Sequence, residues 1–307
     1  METMFNKISL FKENQDIRCS LDNTILEATL TNHINHTHAC GGQGKCSTCR
    51  VSVMNGIEHC GVRNEIEQEM ATILNFPTEI RLACQTKISG DITIRRMVSD
   101  KLDIDIISEQ FSEDSNSAIG SQQKLTIVFT DIVNYTAFAE KFPPYDIVHV
   151  LNRYYRIMNR VIKNHKGLIS DVAGDGILAV FGIDCVSENS VLEAIKAIDE
   201  MKERLKTFNT YLKSNFNTSF GIRAGIHHGN VIVGPFDTGE MKKTAVIGDN
   251  VNYASRIETA NKEFGTEVLL SEEAYNSVKD FYPSYNTFKT QLKGKTGTYN
   301  LYELKNK

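Results

Sequence analysis

The order of its apolar segments predicts that this chain is an α+β protein with two domains. From Lys124 onward the segments alternate as strand, helix, β-hairpin, helix and strand pair, which is a βαββαβ order. Residues 5–19 begin a separate pattern of short strands, and 307 residues are roughly the length of two domains. Between them, an acidic apolar stretch passes into a run rich in Ser, Asn and Gln. We therefore predict domains at 1–99 and 124–307, joined by a linker at 100–123.

The first domain is predicted to start with a β-hairpin and a helix. Residues 5–19 alternate apolar and polar side chains on either side of a charged turn, which is the pattern of two antiparallel strands. A helix is expected to follow as far as about Ile34, with Asp22 or Asn23 as its N-cap.

Four cysteines of the first domain have the spacing of a metal centre. Three lie on one glycine-rich loop and the fourth follows 35 positions later: Cys40, Cys46, Cys49 and Cys84. Four thiolates of this kind can hold an iron–sulfur cluster, or a zinc ion, for which His33, His36 and His38 are further candidates. The loop glycines allow tight wrapping that points backbone N–H groups at sulfur: Gly41, Gly42 and Gly44.

This cysteine motif resembles that of the [2Fe–2S] ferredoxins, in the spacing of the adrenodoxin-like branch, over about residues 5–98. The resemblance implies a β-grasp domain whose cluster is bound by the four cysteines named above. The three remaining cysteines fall outside the motif and are expected to be buried or incidental thiols: Cys19, Cys60 and Cys185.

Net charge and composition argue against several classes of protein. With a net charge of −4 and no basic stripe, the chain is not expected to bind nucleic acid. No apolar stretch reaches the length of a membrane span and the N-terminus lacks the plan of a signal peptide, so we expect a cytoplasmic protein. In that reducing compartment, seven unevenly placed cysteines are not expected to form a disulfide framework.

Two aspartates of the second domain lie beside predicted strands. Asp131 follows a buried strand at 125–129 and precedes a predicted helix, and Asp175 lies in a glycine turn between strands at 168–173 and 177–181. If these strands share one sheet, the two carboxylates face each other across a short gap and can hold two divalent cations. The alternative is that both are ordinary turn aspartates.

The other elements of this domain are two amphipathic helices and a strand pair. The helices are predicted at 146–163 and 188–214. In the first, six apolar side chains are expected to face the core: Ile147, Val148, Leu151, Tyr155, Met158 and Ile162. Residues 220–228 and 231–233 are expected to pair as strands around Gly229-Asn230.

The segment TAVIGDNVNYASRIE carries an amide and a guanidinium on one face of a predicted helix. Asn252 and Arg256 are four residues apart, and Gly248 before them permits close approach of a ligand to the backbone. A planar guanidinium suits a pentavalent phosphate, and an amide can orient a sugar. Taken alone, Arg256 would instead be a surface arginine paired with Glu258 or Glu263.

Three motifs, FTDIVNYT, AGDGILAVFG and VIGDNVNYASRIE, together resemble the catalytic domain of class III nucleotidyl cyclases over nearly all of the second domain. The resemblance implies that Asp131, Asp175 and the Ile132 carbonyl bind two Mg²⁺ or Mn²⁺ ions. It also implies that Asn252 orients the ribose and that Arg256 stabilises charge on the α-phosphate. In that family these two sets of residues come from different subunits of a head-to-tail homodimer, so a lone chain is expected to be inactive.

The same resemblance indicates the residues that bind substrate. Either Lys293 or Lys295, in the late segment QLKGKTG, matches the phosphate-binding lysine of the family. Asp171 and Ala245 stand where adenylate cyclases usually carry a base-reading Lys and an Asp or Thr. Ala245 offers no side-chain hydrogen bond and an ionised Asp171 can only accept one, from guanine or from the adenine amino group. ATP, ranked first because cyclases of this kind are more often adenylate cyclases, and GTP both stay open.

An iron–sulfur module placed directly upstream of a full catalytic set predicts a redox-regulated purine nucleotide cyclase. Its products would be a 3′,5′-cyclic nucleotide and pyrophosphate, and a redox donor protein would be a further partner. The alternative hypothesis is an electron carrier or redox-sensing module that binds nucleotide without turnover. A third hypothesis is that the cluster only stabilises the fold.

Overall fold

The computed structural model describes residues 5–98, 102, 120–183, 189–237 and 242–304 and divides the chain into two compact units between Gly120 and Ser121. Most of the predicted linker and Cys185 lie outside these residues. Within the described part, no helix combines the length and the apolar character needed to cross a bilayer.

The described strands of the first unit form one mixed sheet, in the order β2-β1-β5-β3-β4, with β1 parallel to β5. A helix, α1, buries its apolar side in the core of this sheet, which confirms the predicted β-grasp arrangement. The elements are β1 Phe5–Leu10, β2 Gln15–Ser20, α1 Ile25–Thr31, β3 Arg50–Asn55, α2 Glu65–Ile73, β4 Ile80–Leu82 and β5 Ile92–Arg96.

The hairpin at the N-terminus is confirmed, but the predicted helix cap was wrong. Helix α1 is capped by Thr24, whose hydroxyl accepts from the backbone N–H of Glu27 at 3.2 Å. The Glu27 carboxylate in turn accepts from the Thr24 N–H at 2.7 Å. This reciprocal capping box satisfies two backbone donors at once, so the helix starts after Asp22 and Asn23.

The described strands of the second unit form one sheet, in the order β12-β13-β11-β9-β6-β8-β7, with β10 paired to β9. The predicted βαββαβ order is confirmed, and β6 lies beside the β7–β8 hairpin. The elements are β6 Ser121–Val133, α3 Tyr135–Lys141, α4 Pro144–Asn164, β7 Gly167–Ala173, β8 Gly176–Phe181, α5 Ser190–Phe216, β9 Gly221–Asp237, β10 Lys242–Ile247, α6 Asp249–Phe264, β11 Val268–Ser271, α7 Glu272–Asn276, β12 Ser284–Thr290 and β13 Tyr299–Leu304.

Strand β6 is longer than predicted at both ends. It begins at Ser121, inside the segment predicted as linker, and ends at Val133, so Asp131 lies within the strand and not after it. The extra length is paired, since β9 forms an antiparallel ladder with β6 from Ser121 to Val133.

The predicted turn at Gly229-Asn230 was wrong, because both residues lie inside the single long strand β9. Asn230 pairs with Lys124 of β6 in the ladder. A Cβ on Gly229 would come within 2.8 Å of the Asn250 side chain, whose amide donates to the Asn230 carbonyl at 2.7 Å. Glycine therefore marks a close approach to a side chain here and not a turn.

The two faces of the sheet carry separate cores. Helices α4 and α5 cover one face, where Val128 and Ile132 of β6 point into the larger cluster. Leu125 and Ile127 point the other way, toward α6, as expected for alternate residues of a strand. Of the predicted core positions of α4, Met158 and Ile162 are buried, three are partly buried, and Val148 is 56% exposed.

Candidate functional site

The structure brings Asp131 and Asp175 together, although 44 positions separate them in the chain. Asp131 lies on β6, and Asp175 lies in the β7–β8 turn beside it. Their carboxyl groups share a hydrogen bond. They line a cavity of about 300 Å³, to which Asp171 and Thr130 also contribute. We call this the acid pocket.

The two carboxyl groups have unequal proton affinities. Burial, the hydrogen bond to Asp131 and the negative charge of Asp131 raise the pKa of Asp175 to about 6. Burial also acts to raise the pKa of Asp131, but the hydrogen bond from Asp175 and an ion pair with Lys262 outweigh it and leave that pKa lowered. One proton shared by the pair thus relieves the repulsion between two adjacent negative charges.

The acid pocket fits a divalent cation. Carboxylate oxygens are preferred ligands of Mg²⁺ and Mn²⁺, and a cation between the two groups would replace the shared proton. Among the described residues, no three His, Cys, Asp or Glu side chains are arranged to hold one ion. Further ligands would be carbonyl, water or phosphate oxygens, as is usual for Mg²⁺, and the backbone of Ile132 directly follows Asp131.

Two residues of α6 also line the acid pocket, and sequence reasoning assigned neither to it. The Lys262 ammonium lies 3.0 Å from the Asp131 carboxylate. Glu258 is 7% exposed, and its Oε1 has no hydrogen-bond partner among the described residues. Burial and the charge of Asp131 raise the pKa of Glu258 to about 7. Their i, i+4 spacing was the only available signal, and it does not show which side of the helix meets the sheet.

Asn252 and Arg256 lie on the same helix but do not line the acid pocket of their own chain. Asn252 is exposed, and Arg256 is partly buried with no hydrogen-bond partner for its Nη1 among the described residues. The carboxylate recorded near Arg256 is Asp249, at 3.9 Å, and not the Glu258 or Glu263 considered from sequence. One chain therefore does not unite the two predicted halves of the site.

The structure distinguishes the two candidate lysines. Lys295 has a side chain only 14% exposed, and its ammonium lies 2.5 Å from the Asp249 carboxylate and 4.7 Å from the centre of the Tyr253 ring. Lys293 is exposed, two positions away. Asp249, at the start of α6, thus lies beside both Lys295 and Arg256, and these two cations have the chemistry to receive phosphate.

The two predicted base-reading positions lie in different places. Asp171 is exposed and lines the acid pocket, and its carboxylate accepts from the Val172 N–H at 3.1 Å. The ladder between β7 and β8 shifts register between Ile169 and Asp171, as at a β-bulge, which can re-aim a side chain. Ala245 is half-buried on β10, opposite Gly234 of β9, and is not part of that pocket.

The four motif cysteines of the first unit are assembled as two pairs. The Cys49 and Cys84 sulfurs are 3.5 Å apart, and Cys40 and Cys46 share a hydrogen bond. The loop glycines all have positive φ angles, between 65° and 80°, which gives the tight wrapping expected. The hydrogen bond from Cys40 lowers the pKa of Cys46 to about 5, and that from Cys49 lowers the pKa of Cys84 to about 7.

This pairing fits a cluster of two irons, since each iron of a [2Fe–2S] cluster takes two cysteines. A structural zinc ion would instead need four ligands around one point. His36 and His38 are buried, and His36 contacts the Cys49 carbonyl at 3.2 Å and the Thr29 hydroxyl at 3.0 Å. Cys19 and Cys60 are buried outside the loop, as expected.

An ion pair that sequence reasoning missed supports the segment that carries Cys84. The guanidinium of Arg81 donates twice to the Glu67 carboxylate, at 2.9 and 2.8 Å, and both side chains are at most 5% exposed. Glu67 also accepts from the Leu82 N–H at 2.7 Å. A buried pair so fully hydrogen-bonded fixes α2 against β4.

A β-grasp unit with paired cysteines, followed by a split βαββαβ unit in which one acid lies on β6 and another in the adjacent β7–β8 turn, defines the class of iron–sulfur proteins linked to a nucleotide cyclase fold. Residues 118–306 match the family model described as the adenylate and guanylate cyclase catalytic domain. Residues 10–89 match the one described as the 2Fe-2S iron-sulfur cluster binding domain. The chain belongs to the adenylate and guanylate cyclase family and carries a 2Fe-2S domain before the cyclase domain, in the order that the sequence predicts.

Comparison with known proteins gives the same fold for the second unit. Adenylate cyclase 1 of Rhizobium meliloti is 30% identical over 183 residues, which are 60% of this chain and 28% of that protein. The crystal structure of the guanylyl cyclase Cya2 aligns at 27% identity with a TM-score of 0.56, over 60% of this chain and 93% of Cya2. The adenylyl cyclase CyaB of P. aeruginosa aligns at 25% identity with a TM-score of 0.57, over 61% and 96%. This chain thus spans less than a third of the length of the curated Rhizobium relative.

Proposed function

We propose that this protein is a purine nucleotide cyclase that converts ATP or GTP to the 3′,5′-cyclic nucleotide and pyrophosphate. The observation that carries the proposal is the acid pocket, where Asp131 and Asp175 meet beside a cavity of about 300 Å³ in a domain of the cyclase family. Divalent ions held there would lower the pKa of the ribose 3′-hydroxyl and neutralise the triphosphate. Asp131 and Asp175 would hold these ions, with the Ile132 carbonyl as a further ligand.

The remaining groups would come from a second copy of the chain. Asn252 would orient the ribose, Arg256 would stabilise charge on the α-phosphate, and Lys295 would bind the departing phosphates. None of the three lines the acid pocket of its own chain, which supports a homodimer with composite sites. Charge-assisted hydrogen bonds to the phosphoryl group are the usual means of stabilising its transition state.

The test of the activity is to incubate the purified protein with Mn²⁺ and either ATP or GTP and to identify the cyclic product. Both nucleotides are candidates, because the relatives include adenylate and guanylate cyclases and Asp171 can accept a hydrogen bond from either base. Asp131→Ala should abolish product formation. Unchanged activity in this variant would reject the metal assignment.

We further propose that the 2Fe-2S domain regulates the cyclase through the redox state of its cluster, with a redox donor protein as partner and a cytoplasmic site of action. Cys40 and Cys46 would hold one iron, and Cys49 and Cys84 the other. The cluster would supply a one-electron change of charge. Cyclic-nucleotide production should be measured anaerobically with the cluster oxidised and then reduced, and equal rates would contradict regulation.

The cluster itself has a separate test with a matched control. Cys84→Ala should remove the brown colour and visible absorption of the purified protein, whereas Cys60→Ala, also a buried cysteine, should leave both unchanged. A colourless wild-type protein that contains zinc would contradict the cluster assignment.

A second candidate function is a nucleotide-binding redox module without turnover. It would hold if no partner subunit brought Asn252 and Arg256 to the acid pocket, which these residues do not line within one chain. Binding of ATP or GTP by a protein that gives no cyclic product at any protein concentration would support it, whereas activity that rises with dimer formation would exclude it.

A further inference from the structure

Lys262 forms an ion pair with the residue that the proposed function assigns to the divalent ions. Its ammonium lies 3.0 Å from Oδ2 of Asp131 and lines the acid pocket. The carboxylate oxygens of Asp131 are the atoms that a divalent cation would have to coordinate. Lys262 therefore sits where a metal ion and an ammonium compete for one ligand.

The backbone of Lys262 is fixed, while its side chain is not. The preceding residue, Asn261, is fully buried, and its amide donates to the Ala224 carbonyl of β9 at 3.0 Å. Ala224 is the ladder neighbour of Thr130, which directly precedes Asp131. The Lys262 side chain is 53% exposed, so its ammonium can leave Asp131 and remain at the rim of the acid pocket.

We propose that Lys262 is an exchangeable cation of the active site: it neutralises Asp131 in the metal-free chain, gives up this carboxylate to the divalent ion, and then binds the triphosphate of the nucleotide. The inference rests on the proposed function. A displaced ammonium keeps its charge, and a polyphosphate that enters with the metal is the nearest anion to receive it. Metal and nucleotide binding are thereby coupled through one side chain.

Two opposite effects on affinity follow for Lys262→Met, which keeps the length of the side chain but removes its charge. Without nucleotide, Mn²⁺ should bind about two- to fivefold more tightly, the range expected when a half-exposed ion pair is removed as a competitor. With Mn²⁺ present, an ATP or GTP analogue with a methylene between its α- and β-phosphates should bind about tenfold more weakly, because a charged hydrogen bond is lost.

Both affinities should be measured on the full-length protein, Mn²⁺ from the electron paramagnetic resonance signal of the free ion and the analogue by calorimetry. Neither measurement depends on turnover. Lys262→Arg should behave like the wild type in both, because it keeps a cation. Lys279→Met, which removes an exposed lysine outside the site, is the control for a general change of charge.

The inference is overturned if Lys262→Met leaves either the Mn²⁺ affinity or the analogue affinity unchanged, or if Lys279→Met has the same effects. Asp131→Asn separates this result from failure of the proposed function. Loss of tight Mn²⁺ binding in Asp131→Asn supports the metal site whatever Lys262 does. Retention of tight Mn²⁺ binding in Asp131→Asn would reject that metal site and this inference with it.

Discussion

Lys295 and Lys293 flank a single glycine, yet the structure gives them different surroundings. Lys295 is held at 2.5 Å from Asp249 and over the Tyr253 ring, whereas Lys293 is exposed. An ammonium that is already positioned loses little side-chain entropy when it binds phosphate. The structure therefore favours Lys295 for the role that the sequence leaves open between the two.

We predict that Lys295→Met lowers kcat/KM for the nucleotide about 100-fold, the size of effect seen when one preorganised donor to a developing charge is removed. Lys293→Met should have a much smaller effect, since its side chain lies in solvent. Steady-state kinetics of the two variants with Mn²⁺ and the preferred nucleotide give the comparison. Equal losses in both variants would contradict the assignment.

Glu258 should make the metal-free protein less stable as the pH rises. Its pKa is raised from 4.5 to about 7 in the folded protein, first by burial and then by the charge of Asp131. The folded state therefore keeps a proton that the unfolded chain has already released. This contribution to stability is fully present below pH 4.5 and is lost as the pH rises through 7.

We predict that Glu258→Gln removes part of this pH dependence. The free energy of unfolding of the variant, relative to that of the wild type, should be about 1–3 kcal/mol higher at pH 8 than at pH 5. Urea unfolding of the full chain at both pH values, followed by far-ultraviolet circular dichroism without divalent ions, measures it. Glu263→Gln, which changes an exposed residue of the same helix, is the control. Parallel pH profiles for wild type and Glu258→Gln would show that this carboxyl group is not responsible.

At the scale of single residues, the sequence predicted the acid pair but not the side chains that line the acid pocket beside it. Asp131 and Asp175 could be found because each lies beside a strand pattern and the order of elements places those strands together. Lys262 and Glu258 could not, because their position depends on which side of α6 rests on the sheet. Periodicity gives the spacing of residues on a helix but not the neighbour that each one meets.

At the scale of elements, the close contact between α6 and β9 places the helix. A Cβ on Gly225 of β9 would lie 2.6 Å from the Ala254 carbonyl and even closer to the backbone of Glu258. No side chain fits between this strand and the helix. The helix is therefore held with Glu258 and Lys262 facing the acid pocket.

We predict that Gly225→Ala displaces α6, lowers the free energy of unfolding by about 1–3 kcal/mol and reduces cyclase activity, because overpacking against backbone atoms cannot be relieved by a rotamer change. Gly61→Ala is the matched control, since a Cβ there meets nothing within 4 Å. Urea unfolding and product formation should be measured for both variants. If Gly225→Ala matched the wild type in both, the contact would not be what positions the helix.

Two errors in predicting elements have a common physical cause. The pair Gly229-Asn230 looks like a turn but lies in β9, because Asn250 approaches its backbone and both neighbouring segments of β9 continue the ladder with β6. Val148 has the right spacing for the core of α4, yet the buried stripe includes Val150 and Tyr154 and leaves Val148 exposed. In both cases tertiary packing selects among local patterns that the sequence permits.

At the scale of the whole molecule, the fold class and the order of the two domains could be predicted because each domain carries its own motif. The composition predicted a linker at 100–123, and the structure corrects the end of that range, since Ser121 and its neighbours are polar and yet pair fully with β9. Pairing in a β-ladder satisfies the backbone N–H and C=O groups whatever the side chains are. Composition alone therefore underestimates the length of a strand such as β6.

The separation of the two halves of the site within one chain leads to a prediction for the assembled molecule. Asp131 and Asp175 line the acid pocket, and Asn252 and Arg256 do not. If a partner subunit supplies the second pair, Asp131→Asn and Arg256→Ala should each be inactive as homodimers. A heterodimer of the two variants has one intact site and one doubly altered site. Random pairing makes about half of the dimers mixed, so the mixture should recover about a quarter of the wild-type activity.

To measure this, the two variants are co-expressed with different affinity tags and purified through both tags, which selects the mixed dimers. The specific activity of these mixed dimers should be about half of the wild-type activity per dimer. Asp131→Asn co-expressed with Asp175→Asn is the control, because both alter the same half and every site in the mixed dimer is defective. Recovery in the control would mean that Asp131 and Asp175 of one chain serve different sites. No recovery in the Asp131→Asn and Arg256→Ala pair, once the mixed dimer is isolated, would instead mean that each site is built from one chain. The helix α6 would then have to move Asn252 and Arg256 toward its own acid pocket, which the contact of Gly225 with that helix opposes.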